Sequence, residues 1–132
     1  MKYTFLLAIV VHFQMVFSQE STPDSIIQRQ LDTYNNRDIE GFMALFHEDV
    51  QLYNQVDGKL LADGKAAVRK IYSRLFERSP KLHSELINRM VLNNTVIDHE
   101  RITGRMGNEE AIELIVIYEL SALKIIKVTV IR

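Results

Sequence analysis

Apolar positions change their spacing along the chain, and each change marks a new element. Over residues 25–36, Ile26, Ile27, Gln30, Leu31 and Tyr34 recur at three- and four-residue intervals, the stripe of an amphipathic helix. Asn35-Asn36 breaks that helix. Asp38 is placed to cap a second one, which would bury Phe42, Leu45 and Phe46 and carry Gly41 as a weak point. Residues 50–54 read as a short strand, with His47-Glu48-Asp49 leading into it. The turn pairs Asp57-Gly58 and Asp63-Gly64 bracket Leu60-Leu61. A third helix is expected over residues 65–78, turning Ala67, Val68, Ile71, Tyr72, Leu75 and Phe76 inward until Ser79-Pro80 stops it.

Beyond Pro80 the pattern is that of strands. Residues 82–92 and 95–103 face each other across Asn93-Asn94, whose side chains tolerate the positive φ of a tight hairpin turn. Residues 104–108 form a loop, and residues 111–120 and 125–131, rich in Ile and Val, supply the last two strands. Helices followed by a run of antiparallel strands imply an α+β fold with its helices on one face of the sheet.

Composition narrows the partners. The chain has 132 residues, a length for one domain, and its 16 basic against 17 acidic residues leave no positive excess for a phosphate backbone, so no nucleic acid is expected. The absence of cysteine removes disulfides, thiolate zinc sites and cysteine nucleophiles together. Residues 1–18 read as a signal peptide: Lys2 is the positive start, an apolar stretch follows, and Val16 and Ser18 flank Phe17 before a cut at Gln19. His12 and Gln14 interrupt the apolar run, and a span needs roughly 20 apolar residues, so no stable membrane span is expected. The mature, exported chain would then have a polar lead over 19–24 and a single domain over 25–132.

Several segments, in this order, resemble the nuclear transport factor 2-like superfamily and its SnoaL-like and ketosteroid-isomerase-like members. They are Gln28-Arg29-Gln30, then Asn35-Asn36-Arg37-Asp38-Ile39, Phe46-His47-Glu48-Asp49-Val50, Ala67-Val68-Arg69-Lys70-Ile71-Tyr72 and the closing Leu123-Lys124-Ile125-Ile126-Lys127-Val128. The resemblance implies a cone-shaped, curved, mostly antiparallel (mixed) sheet wrapped around a long helix, also called cystatin-like. Its open end takes a small hydrophobic molecule, without a cofactor. Fold alone does not carry the chemistry across. In the isomerases an aspartate moves the proton while a tyrosine and a protonated aspartate hold the oxyanion. Aligned here, those positions hold Asn54, Gln30 and, nearby, Val116, so the isomerase set is not matched. In the epoxide hydrolases of this fold, an asparagine that holds water falls on Asn54, but their Arg and two Asp residues fall on Glu100, Ile102 and Val130.

Strand alternation places Val96, Asp98, Glu100 and Ile102 on the pocket side. Across the hairpin, Arg89 would oppose Asp98 and Ile87 would oppose Glu100. His83 and Glu85 would share the face of Arg89 unless Asn88 marks a bulge. Glu100 is then the leading acid–base candidate, with Asn54 and Asp98 beside it. Gln30, Tyr34, Leu52, Tyr72, Phe76, His83, Arg89, Tyr118 and Val128 are candidate ligand contacts. For Arg89 and Asp98 a simple cross-strand ion pair is the stronger reading, and the tyrosines read more readily as core. His99 and Glu100 point to opposite faces, so no metal site is assigned.

The same parity turns Ile115, Ile117, Ile125, Thr129 and Ile131 away from the pocket. An apolar outer face of that kind leads us to expect a homodimer. Intact-mass analysis of the exported protein should show a chain that begins at Gln19; a product that keeps its leader would rule out the cleavage.

Overall fold

The computed structural model describes Met15 and residues 19–132, so the assigned leader lies, apart from Met15, outside the described residues. The elements run α1 (Pro23–Asn35), α2 (Ile39–Met43), β1 (Phe46–Asn54), β2 (Leu60–Asp63), α3 (Lys65–Arg78), β3 (His83–Leu92), β4 (Thr95–Thr103), a 3-10 turn (Arg105–Gly107), β5 (Ile112–Ser121) and β6 (Lys124–Ile131). One six-stranded sheet has the order β2-β1-β6-β5-β4-β3. Every neighbouring pair is antiparallel except β1 and β6, which run parallel. This is the α+β architecture the pattern implied, with a mixed sheet. Among the described residues no helix is long and apolar enough to cross a membrane.

Helix α1 begins at Pro23, two residues before the expected start at residue 25. Thr22 and Ser25 form a reciprocal capping box, and Pro23 sits in the first turn, where its missing N–H costs nothing. Part of the expected polar lead is therefore helix. Strand β1 likewise starts at Phe46 rather than Val50, because Phe46 pairs with Ile125 on β6. The register then skips to Gln51 opposite Lys127, leaving Glu48 and Asp49 exposed between two pairings.

Two bulges decide which side chains face inward. On β3, Leu86 opposes Glu100 and Asn88 opposes His99, so Ile87 is the extra residue. On β6, Ile125 opposes Leu120 and Lys127 opposes Glu119, so Ile126 is the extra one. Each bulge reverses the alternation beyond it. For that reason Ile125, expected on the outer face, is fully buried.

The helices close one end of the curved sheet with aromatic rings. Phe42 lies 4.6 Å from Tyr72 and 4.9 Å from Phe46 between ring centroids, and Tyr34 lies 5.6 Å from Phe76 at an interplanar angle of 81°. Such tilted and edge-on packing suits aromatic quadrupoles. Beneath it Ile27, Val50, Val68, Val96 and Ile125 complete the core.

The end of α1 is pinned to β3. Asn35 donates through Nδ2 to the Ser84 carbonyl at 3.0 Å and accepts from the Ser84 N–H at 2.7 Å. Arg37 donates to the Leu82 carbonyl at 3.2 Å. A segment that reads as a helix breaker thus also satisfies the backbone of an edge strand.

Candidate functional site

Between α1, α3 and the concave face of the sheet lies a cavity of about 480 Å³. That is within the range of small-molecule sites, and its walls are mostly apolar. Helix α1 contributes Gln30, Leu31 and Tyr34, and α3 contributes Ile71, Tyr72 and Leu75. The sheet supplies Leu52 and Asn54 from β1, Glu100 and Ile102 from β4, Leu114, Val116 and Tyr118 from β5, and Val130 from β6. Of the residues singled out from sequence, Gln30, Tyr34, Leu52, Asn54, Tyr72, Glu100 and Tyr118 meet around this space.

Five others do not line it. Phe76 is packed within the aromatic cluster and Val128 in the core, both buried. His83 is exposed on the other face of β3, because the Ile87 bulge separates its parity from that of Arg89. Ser84 takes the inward position instead. Asp98 is fully buried, with both oxygens held by one guanidinium: Arg89 Nε donates to Oδ1 at 2.6 Å and Nη2 to Oδ2 at 2.7 Å. Arg89 also donates to Gln28 Oε1 at 3.0 Å and approaches the Asp24 carbonyl at 3.5 Å, so the pair fastens α1 to β3 and β4. Hydrogen bonding to Asp98 raises the Arg89 pKa further above its ordinary value. Removing either partner would strand the other in a dry setting, at a cost of about 3–5 kcal/mol.

Glu100 is different. It is 5% exposed, and its Oε2 accepts from Ser84 Oγ at 2.8 Å. Among the described residues, its Oε1 is the one buried side-chain polar atom without a hydrogen-bond partner. Burial pushes the Glu100 pKa up to about 7; the bond from Ser84 opposes this and Asp98 reinforces it. The Tyr118 hydroxyl is directed to Gln30 Oε1 at 3.3 Å and pulls Glu100 down only as a lesser influence. Burial also raises the phenols of the wall: Tyr72 reaches about 12, and Tyr34 and Tyr118 are raised too. At neutral pH these three tyrosines are proton donors, and Glu100 is poised to take or give a proton.

The SnoaL-like domain model matches residues 27–128, the segment that builds most of the cavity wall. The chain belongs to the SnoaL-like domain family. Solved structures agree on the fold. A cystatin-fold protein from Novosphingobium aromaticivorans superposes with a TM-score of 0.78 at 19% identity, covering 86% of this chain and 100% of its own. A nuclear transport factor 2-like protein from Cytophaga hutchinsonii gives 0.72 at 12% identity, over 86% of this chain and 91% of its own. A SnoaL-like protein from Burkholderia thailandensis gives 0.69 at 14% identity, over 82% and 91%. No curated protein matches the sequence. At these identities the likeness carries the architecture of the SnoaL-like domain, and its chemistry rests on the residues of this cavity.

Sequence reasoning missed Ser84, Arg105 and Arg132. Ser84 becomes visible only once the bulge is known. Arg105 lies between two glycines, Gly104 and Gly107, a loop signal that says nothing of where the side chain points.

The Glu100 pKa has a consequence for stability. Below its ordinary value of 4.5 both the folded and unfolded chains hold the proton, and between 4.5 and about 7 only the folded chain does. Stability should therefore fall as pH rises through that window, by an amount on the order of 3 kcal/mol. Urea unfolding at several pH values should show this slope in the natural protein and not in Glu100→Gln. A slope shared by both would assign it to other groups.

Proposed function

We propose that this SnoaL-like domain binds a small, largely apolar molecule in its cavity and moves a proton on it with Glu100, in an isomerase-, hydratase- or lyase-type reaction. The observation that carries this reading is the Glu100 Oε1, buried in the cavity wall without a partner. An unpaired buried oxygen is destabilising, and such groups gather where a ligand completes them. Ser84 fixes the other oxygen, so the carboxyl group is held in one orientation. Desolvation brings its proton affinity close to neutrality, the range in which general acid–base catalysis works best. Gln30, Tyr118 and Asn54 offer hydrogen bonds to a polar atom of the ligand. The steroid isomerase route is not part of the proposal, because Asn54 cannot accept the proton at ordinary pH and Val116 cannot hold an oxyanion.

A second reading is supported by those same two residues: the domain binds its ligand without turning it over. Glu100→Gln separates the readings. Across a panel of enone, polyketide and epoxide substrates, the catalytic reading expects turnover to drop by about 10²–10⁴-fold in the variant while ligand affinity stays comparable. Equal turnover in both proteins, or none in either with ligand still bound, leaves the binding-only reading.

The domain is further proposed to be exported, on the strength of its leader, and to pair as a homodimer. Met90, Ile97, Ile117, Thr129 and Tyr53 lie directly opposite one another across five strands on the outer face. Ile115 and Ile131 extend the row, and Ile115 is 38% exposed. A row of this kind suits a symmetric, self-complementary contact. Sedimentation at high micromolar concentration should give a dimer that Ile117→Asp converts to monomer; a strict monomer before mutation would remove this proposal.

A further inference from the structure

Two cations in the cavity wall have no part in the chemistry above. Arg105 comes from the turn after β4 and Arg132 from the position after β6, and both line the cavity. The turn is fixed in place. Gly104 has φ +69, and a Cβ there would stand 2.2 Å from the Lys81 carbonyl oxygen, so only glycine lets the chain pass. The Met106 N–H donates to Ser79 Oγ at 2.8 Å, and Ser79 is fully buried at the end of α3. Arg132 is placed by β6, whose Val130 pairs with Asn54 and accepts from the Gln55 N–H at 3.0 Å. The backbone that leads up to each arginine is thus held.

Arg105 and Arg132 share one wall of the cavity. Arg132 is held below the ordinary arginine value, first by burial and then by the positive charge of Arg105. Among the described residues no carboxylate comes within ion-pair distance of either one. Two guanidiniums that line one cavity, neither with a carboxylate partner among the described residues, offer an anion a site. Planar guanidinium forks match carboxylate and phosphate oxygens well. The cavity is also polarised. Strands β4 and β6 both run antiparallel to β5, so Arg105 and Arg132 follow strand ends at the same edge of the sheet, whereas Glu100 lies within β4. The cavity thus has a cationic end, with the acid farther along β4.

We propose that the ligand of this cavity is an amphiphilic anion, its acidic head group held by Arg105 and Arg132 and its apolar body lying along Leu52, Tyr72 and Val116 toward Glu100. This rests on the reading of the cavity as a small-molecule site and specifies the ligand class. It also assigns direction: the end of the molecule remote from its head group is the end presented to Glu100. A protonated Glu100 at mildly acid pH minimises repulsion of such a ligand.

The test is calorimetric titration of the protein with 2-naphthoate and its neutral counterpart 2-naphthamide. At about pH 6 the acid should bind on the order of tenfold more tightly than the amide, an electrostatic preference that weakens in high salt. Arg105→Gln and Arg132→Gln should each narrow that ratio, and the double variant should bring it close to one. Equal affinity for the two probes in the natural protein, or a preference that survives the double variant, overturns the anion proposal and leaves the cavity reading standing. Val116→Trp, which fills the cavity, gives the other arm. Should neither probe bind, or should both bind the filled variant as well as the natural protein, the cavity reading fails and takes this proposal with it.

Discussion

The bidentate contact between Arg89 and Asp98 is the constraint on which the site's shape depends, although neither residue touches the cavity. It joins the middle of β3 to β4 and reaches across to Gln28 on α1. Helix α1 carries Gln30, Leu31 and Tyr34 into the cavity wall, so its distance from the sheet sets the width of the space. Without that contact the helix would be held to the sheet by apolar packing, the Asn35 bonds and the Tyr118 hydroxyl on Gln30. Apolar packing is strong but non-directional, whereas a paired guanidinium and carboxylate admit essentially one geometry.

A second chain of contacts leads from the same helix to the candidate acid. Asn35 takes both backbone groups of Ser84, and the Ser84 hydroxyl donates to one oxygen of Glu100. Helix end, edge strand and carboxyl group are therefore oriented as a unit. The result is an acid whose surroundings are polar on one side and unsatisfied on the other. Such an arrangement sacrifices some stability for readiness, in keeping with sites where function and stability compete.

Much of the fold was legible in the sequence because it follows from spacing. The three helices, the strands and the Asn93-Asn94 hairpin all come from local periodicity and turn chemistry, and Glu100 reaches the cavity by plain alternation from that hairpin. What was illegible depends on single-residue insertions in a ladder. A β3 bulge was legible as an alternative at Asn88 and falls one residue earlier, at Ile87, whereas Ile126 is an ordinary strand residue with no mark of being bulged. Their effect is nonetheless to send His83 outward and Ile125 inward. Pairing across the fold was equally hidden: nothing local ties Asn35 to Ser84, or Ser79 to the turn that carries Arg105.

The bulge at Ile87 also bears on how this cavity can change over evolutionary time. A point substitution at one of its walls exchanges one side chain for another. Loss of the single codon for residue 87 would instead restore strict alternation on β3, with the hairpin still anchoring the far half of the strand. Because Leu86 already opposes Glu100 and Asn88 already opposes His99, Ser84 and Leu86 would stay inward and His83 and Glu85 outward, so the wall would keep its composition. A scaffold with such an irregularity holds a second composition of this wall in reserve, reached when residue 87 is kept and pairs with Glu100, which shifts the first half of β3 by one residue and turns His83 and Glu85 inward.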